Sequence, residues 1–357
     1  MGGGKEFACM RWFSRRLFSL GMAVSALFLV AGAGNASLYS SNGFYNVTFN
    51  NPTNTKYIDK RASDFIDAAQ SYCYVAIYAL NRQRIVDSLI ERHQAGVDVR
   101  VVTEADNRNH PSYKAAYDQL EAAGIVVKTD NRSALMHHKF IVVDDNEVLT
   151  GSYNFTDEGT QQNKNNLLVI HSSGVASRFK GEFLEMWAGR FGNAKADFSG
   201  RNTVSGATVY TKFGPKANLR ASLLYHLNTA NVSVYFNIFT FTDQSIADKL
   251  VELHQRGVTV KGTMDAYQAT DQYSQYQYLV ANGLPIKRDA YAGLLHDKFI
   301  AIDAGTASTP KLITGSANWT AAADEENDED MLVIYDYDTV GRSYKGNAVY
   351  VYNYKAY

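Results

Sequence analysis

Two apolar runs, CYVAIYAL (Cys73–Leu80) and VSVYFNIFTF (Val232–Phe241), have the pattern of strands buried on both faces. Each is followed by an apolar stripe at helical spacing: Ile85, Val86, Leu89 and Ile90 in the first, Ile246, Leu250, Val251 and Leu253 in the second. Both stripes end on nearly the same stop, HQAGV (His93–Val97) and HQRGV (His254–Val258), where Gly96 and Gly257 supply the left-handed residue a helix end favours. A second strand follows in each half, VDVRVVTEA against VTVKGTMDA. Strand-helix-strand order predicts parallel pairing through a helical crossover. The next segments, KFIVVDDNEVLTGS and KFIAID…KLITGS, each predict two paired strands, the first turning at Asp145-Asn146 and the second around a longer loop with Gly305 and Pro310. A repeat this long and ordered indicates a gene duplication that gives two similar lobes. A helix over Arg178–Arg190, carrying Phe179, Phe183, Met186 and Trp187, closes the first half. The small, polar stretch Asn193–Gly206 has the character of a linker, and the Tyr-rich tail after Tyr335 is expected to pack across the lobe junction. The predicted organisation is a leader over 1–36, a first lobe over 37–197 and a second over 198–357.

Composition narrows this further. With 357 residues, 46% hydrophobic, the chain is globular and not disordered. In the leader, Arg11, Arg15 and Arg16 precede the apolar run LFSLGMAVSALFLVAGAG, and small residues allow cleavage after Ala33 or Ala36. Export to the periplasm or outside the cell is expected, by the Sec route or, since Ser14–Phe18 resembles a twin-arginine motif, by that one. An uncleaved anchor is the alternative. The leader carries +3 of the formal net charge of -1, so the remainder from Ser37 is at about -4. A mildly acidic body does not suggest a general nucleic-acid binder. Cys9 lies in the leader, which leaves Cys73 alone in an apolar run, a buried structural thiol without a disulfide partner. No set of Cys and His has a recognisable metal-site spacing.

The chemistry is concentrated in a short pattern that occurs twice. His-x-Lys-x4-Asp appears as His137, Lys139, Asp144 and again as His296, Lys298, Asp303, each followed by Gly-Ser-x-Asn: Gly151, Ser152, Asn154 and Gly315, Ser316, Asn318. In each copy the His and Lys alternate at a strand start and share a face. Lysine is a poor ligand for a divalent metal but holds phosphate oxygens well. Asn154 and Asn318 add amide donors, and the hydroxyls of Ser152 and Ser316 are expected to do the same. Two Lys and two Asn brought together would cradle a phosphodiester and its more charged transition state. Two imidazoles would supply a nucleophile and a proton donor: one attacks phosphorus to give a phospho-histidine, the other protonates the leaving oxygen and then activates water or another alcohol.

In these tandem motifs the chain resembles the phospholipase D superfamily, from about Phe44 to Val351. The resemblance implies an α/β fold of two similar α-β-α lobes related by a pseudo-twofold axis, with a mostly mixed or parallel sheet core, and one site at their interface. It implies a phosphodiester hydrolase or transferase that needs no metal or other cofactor. His137, Lys139, Asp144, His296, Lys298 and Asp303 are then the catalytic set, and Lys139, Lys298, Asn154, Asn318, Ser152 and Ser316 bind the phosphate. In the family an acidic residue eleven positions after the motif Asn orients the histidine. Glu329 occupies that position in the second half and Asn165, followed by Asn166, in the first. Pairing each within its own half gives a neutral, nucleophilic His137 beside Asn165 and a protonated, acidic His296 beside Glu329. Asp144 and Asp303 are expected to support the site by hydrogen bonds within the strand turn. His138 is expected to face outward from the other side of its strand.

A phospholipid head-group diester is the expected substrate, as for a phospholipase D, with a secreted nuclease acting on DNA or RNA as the alternative and a non-catalytic binding protein as a third reading. Tyr267, Tyr273, Tyr276, Tyr278 and Tyr291 suit either a choline-type head group or stacked bases. Contact with a membrane surface fits the first, and no obligate protein partner is expected, since one chain holds both motifs.

Overall fold

The apolar runs become the centres of two sheets. The computed structural model describes residues 40–41, 43–51, 57–290 and 292–357, so the leader and Tyr291 lie outside the described residues. The first sheet contains β1 (Ser40–Ser41), β2 (Tyr45–Asn50), β3 (Tyr72–Ile77), β4 (Asp98–Thr103), β5 (Val126–Thr129), β6 (Lys139–Val143), β7 (Glu147–Gly151) and β8 (Asn165–His171). The second contains β9 (Gly200–Val204), β10 (Ala207–Gly214), β11 (Ser233–Ile238), β12 (Thr259–Met264), β13 (Ile286–Arg288), β14 (Lys298–Ile302), β15 (Lys311–Gly315) and β16 (Glu329–Tyr335). Their orders are β1-β2-β8-β7-β6-β3-β4-β5 and β13-β12-β11-β14-β15-β16-β10-β9. Both sheets are mixed. β3-β4-β5 and β11-β12-β13 run parallel, because helices join them, whereas β6-β7-β8 and β14-β15-β16 pair antiparallel, β6 and β7 through the tight turn at Asp144–Asn146.

Strand parity divides the buried side chains into three clusters. Ile141 and Val143 pack with helices Ile58–Asp67 and Gln83–Gln94, and Ile300 and Ile302 pack with helices Leu219–Leu227 and Gln244–Gln255. Phe140, Val142, Phe299 and Ala301, on the opposite faces, share one core that joins both sheets. Two long helices fill it. Ser173–Trp187 lies against β3, β4, β6 and β7 and also touches β10; Asp338–Tyr354 lies against β11, β12 and β14 and also touches β2. The tail after Tyr335 thus crosses the lobe junction, with Tyr344 edge-on to Phe49 at 4.9 Å.

Two local expectations change. The closing helix starts at Ser173, not Arg178, because Ser172 caps it by accepting the Val175 N–H. Part of the stretch expected to be a linker is strand: Gly200–Val204 pairs with Ala207–Thr211 at the edge of the second sheet.

The glycines of Gly-Ser-x-Asn are demanded by backbone approach. Gly151 and Gly315 have φ of 145° and 148°. A Cβ on either would sit 2.3 Å from the carbonyl oxygen of Asn166 or 2.2 Å from that of Asp330. Gly315→Ala is therefore expected to destabilise the fold by about 3 kcal/mol or more. Gly206→Ala, at φ 86° with open space around it, should cost about 1 kcal/mol. Denaturant midpoints of the two variants check the difference.

Candidate active site

His137 and Lys139 stand at the start of β6, His296 and Lys298 at the start of β14. The strand end that carries each pair is stitched to the other lobe. The His137 N–H donates to the Asp328 carbonyl at 3.0 Å, and the Asp328 N–H to the Leu135 carbonyl at 2.8 Å. The mirror contacts run from His296 to Lys164 at 2.9 Å and from Lys164 to Leu294 at 2.8 Å. Residues 164–166 and 328–330 therefore each serve the histidine of the opposite lobe.

This reverses the pairing expected from spacing. His137 Nδ1 is 2.7 Å from Glu329 Oε1, while His296 Nδ1 is 3.0 Å from Asn165 Oδ1 and 2.9 Å from the Ser152 carbonyl. Counting along the chain places a residue within its repeat but cannot show that the start of β8 or β16 docks on the neighbouring lobe. Around both rings the Nδ1 partners are acceptors, so Nδ1 carries the proton and Nε2 is left for a substrate.

The two serines are not free for phosphate, contrary to expectation. Ser152 Oγ donates to Asn165 Oδ1 at 3.0 Å and accepts the Asn166 N–H; Ser316 Oγ donates to Glu329 Oε2 at 2.5 Å and accepts the Asp330 N–H. Each holds the group that holds a histidine. Asn154 and Asn318 are half-buried, and the Asn318 Oδ1 accepts the Thr240 N–H at 3.3 Å, which directs its amide N–H bonds elsewhere. Lys139 and Lys298 are buried, and each Nζ donates to the carbonyl of the histidine two residues before it, at 2.6 and 2.8 Å.

The motif aspartates lie at the far end of the same strands. The Asp144 carboxylate accepts the N–H groups of Gln70, Ser71 and Tyr72 at 2.7 to 2.9 Å. Asp303 accepts those of Asn231, Val232 and Ser233 and the Ser308 hydroxyl. These bonds reach beyond their own turn to the starts of β3 and β11, and they place both aspartates with the scaffold and not with the reacting groups. His138 is likewise corrected: it is on the strand's other face but fully buried, because that face is covered by helix Ser173–Trp187.

Other members of the site escaped the reading of the sequence. Tyr78 packs on His137 at 4.9 Å with Lys139 Nζ 5.0 Å from its ring, and Phe239 packs on His296 at 4.8 Å with Lys298 Nζ at 5.1 Å. Glu104 accepts the Met136 N–H at 2.7 Å and Asp265 the Leu295 N–H at 2.9 Å, each bracing the residue before a histidine. The signal was present, an aromatic and an acid at the ends of matching strands in both repeats. The lobes differ at Tyr153 and Ala317. Tyr153 is buried with its hydroxyl 2.6 Å from Thr160 Oγ1. At the smaller Ala317 a cavity of about 30 Å³ remains beside Lys298, Asn318 and Trp319, room for about two waters.

A family profile described as cardiolipin synthase, PLD-like domain, matches residues 63–187 and 223–344. The chain belongs to the phospholipase D superfamily. A mitochondrial cardiolipin hydrolase of Xenopus laevis is 34% identical over 119 residues, 33% of this chain and 56% of that protein. A phospholipase D of Rickettsia bellii is 32% identical over 133 residues, 37% of this chain and 64% of that one. The chain thus spans little more than half the length of the relatives it matches. The phosphatidylserine synthase of Haemophilus influenzae Rd KW20 has the same two-lobed fold, with a TM-score of 0.62 over 85% of this chain and 86% of that one, at 14% identity.

In this phospholipase D-like site the cations are crowded and buried. Burial pushes His137 down to about 4 against the pull of Glu329. Burial, with Lys298, Lys139 and His137 nearby, holds His296 well below its ordinary value. Burial lowers Lys139 to about 7 and, with Lys139 beside it, puts Lys298 well below the usual lysine range. Glu329 is pushed up by burial, but His137 and Lys139 outweigh this and keep it low. Among the described residues no three His, Cys, Asp or Glu side chains gather so as to hold a metal ion. The site groups its cations more closely than its anions, and an anion at its centre would restore protons to its lysines. Tungstate or phosphate binding is therefore expected to take up protons at about pH 8, where free Lys139 is largely neutral. Titration calorimetry in two buffers of different ionisation enthalpy checks this; proton release would contradict it.

Proposed function

We propose that this protein is a metal-independent phosphodiesterase of phospholipase D type, acting on a phospholipid head-group diester through a phospho-histidine. The observation that carries the reading is the crosswise site, in which two Nε2 atoms, two buried Lys and two half-buried Asn come from both lobes. In the first step the His137 Nε2 lone pair forms a bond to phosphorus. The P–O bond to the head-group alcohol breaks, and His296 Nε2 gives that oxygen its proton. In the second, His296 takes a proton from water or an alcohol whose oxygen attacks phosphorus, and the N–P bond breaks.

These roles match those expected from the sequence, for a different reason. Attack leaves a positive charge on His137, which the Glu329 carboxylate neutralises at 2.7 Å. Proton donation requires the opposite at His296. Its Asn165 and Ser152 acceptors are uncharged and do not hold the proton back. The bound phosphodiester supplies the negative charge that lets His296 acquire the proton.

The rim favours a lipid over a nucleic acid. The eight loops at this end of the sheets (78–82, 104–113, 130–136, 152–163, 239–243, 265–275, 289–295 and 316–327) carry twelve Asp and Glu, three Arg and no Lys. The three arginines are tied up in ion pairs, Arg82 with Asp59 and Asp157, Arg108 with Asp118 and Glu121, Arg132 with Asp328. Asp106, Asp157, Glu158, Asp271, Glu325 and Glu326 are exposed. A polyanion needs the reverse balance, whereas a zwitterionic or cationic head group and the exposed Tyr267 and Tyr273 suit a phospholipid surface. Among the described residues no helix is long and apolar enough to cross a membrane. An exported location belongs to the same proposal and rests on the sequence pattern of residues 1–36.

The full chain is expected to form phosphatidylethanol from phosphatidylcholine and ethanol in EDTA. His137→Ala should lower that rate on the order of 10³-fold or more. Acid-quenched enzyme should carry phosphorus on His137, and label on His296 would overturn the division of roles. His296→Ala should lose far less activity on a p-nitrophenyl diester, whose leaving group needs no proton, than on phosphatidylcholine. Cleavage of DNA without phosphatidylethanol would select the nuclease.

A further inference from the structure

Glu329 lies between two other carboxylates, Asp328 and Asp330, and both meet a buried network on the inner side of the first lobe. Asp328 forms ion pairs with Arg132 and Lys195, and its Oδ1 accepts the Gly192 N–H at 2.8 Å. Lys195 also pairs with Glu182 of helix Ser173–Trp187. Glu182 Oε1 is 3.1 Å from His138 Nε2, and Asp330 Oδ1 is 3.3 Å from His138 Nδ1. The remaining Asp330 oxygen accepts the Thr150 hydroxyl at 2.7 Å. His138, Glu182, Lys195, Asp328 and Asp330 are all buried.

Both ring nitrogens of His138 thus face carboxylate oxygens, which only accept. A neutral imidazole has one N–H to give, so only the imidazolium serves both. The charges agree: Arg132, Lys195 and a protonated His138 balance Asp328, Glu182 and Asp330. A neutral His138 would leave one buried carboxylate uncompensated. Burial opposes the proton on His138, but Asp330 and Glu182 outweigh it. Among the described residues the second lobe has no such network. There Asp297 stands at the position of His138, Asn347 at that of Glu182, and Lys164 and Asn166 at those of Asp328 and Asp330.

We propose that His138 is a positioning residue: donating from both ring nitrogens, it ties Asp330 of the second lobe to Glu182 of the first and so fixes Glu329 against His137. The part concerning catalysis rests on the proposed role of His137. Asp328 is held by Arg132 and Lys195, Asp330 by His138 and Thr150, and Glu329 between them has its direction set from both sides.

Nitrogen-15 NMR of histidine in the full-length protein tests the protonation state without any assay of activity, with His138→Gln and His137→Gln identifying the signals. Both His138 nitrogens are expected at imidazolium positions from about pH 6 to about pH 8, above the ordinary range for histidine. One bare nitrogen at neutral pH would overturn the proposal. In His138→Gln the Nδ1–H signal of His137 should move, and kcat should fall about tenfold or more with KM within about twofold. A folded His138→Gln protein with His137 signal and kcat unchanged would also overturn it. Should that variant fail to fold, Glu182→Gln removes one carboxylate with little change of shape, and His138 should then titrate near neutral pH; an unchanged imidazolium would count against the tie. If the wild-type chain cleaves no phosphodiester, the proposed function falls, while the NMR outcomes still decide the state of His138.

Discussion

Two three-residue segments each reach from their own sheet onto the opposite lobe, and the site depends on that crossing. Asp328–Asp330 lies along the approach to His137, and Lys164–Asn166 along the approach to His296, each fixed by paired backbone hydrogen bonds to the residues just before β6 and β14. Neither histidine is oriented by its own repeat. A lobe alone would hold an imidazole with no partner on Nδ1, and its ring and tautomer would be unfixed. The duplicated motif yields one complete centre only because each half completes the other. The serine and glycine of Gly-Ser-x-Asn belong to the same device. The glycine lets the strand pass against the carbonyl of Asn166 or Asp330, and the serine then clamps Asn165 or Glu329.

The two crossing segments differ in charge, and this breaks the symmetry of the pair. Asp-Glu-Asp meets His137, His138, Arg132 and Lys195; Lys-Asn-Asn meets His296, Asp297 and, through an ion pair of 2.7 Å, Asp289. One imidazole is embedded among compensating anions and the other among neutral acceptors and lysines. Burial lowers the proton affinity of both, but only His137 has a carboxylate to offset it. The same carboxylate that raises the proton affinity of His137 would, under the proposed mechanism, also favour the cationic state that a bond to phosphorus creates.

Much of this was legible in the chain. Periodicity located the core strands, the crossover helices and the glycines that end them, and parity placed each His and Lys on one face. The family resemblance, carried along the chain to the eleventh residue after each motif Asn, picked out Asn165 and Glu329 as the groups that orient the histidines. It could not say which histidine each one serves, because a local offset carries no information about which lobe a strand end docks on. Parity failed at His138 for a related reason. It separates two faces but not inside from outside when both are buried, and Phe140 and Val142 on the same face face the shared core. Ser152 and Ser316 have the hydroxyls a phosphate site would use, yet those hydroxyls are spent on side chains thirteen residues further on.

The charge of the molecule is layered. Its centre holds two buried lysines with depressed proton affinity, and its rim carries exposed carboxylates. Long-range attraction for an anion is weak in such an arrangement, since the acidic loops oppose the cations below them and salt screens what remains. Under the proposed activity, recognition acts at short range, where one phosphate group would meet the crowded lysines and the amides of Asn154 and Asn318. A single diester presented at a surface meets that requirement. A polymer that carries its charge along its whole length would have to bring the neighbouring phosphates against exposed carboxylates such as Glu158 and Glu326. On the proposed reading, the separation of a cationic cradle from an anionic rim suits a substrate whose charge is local.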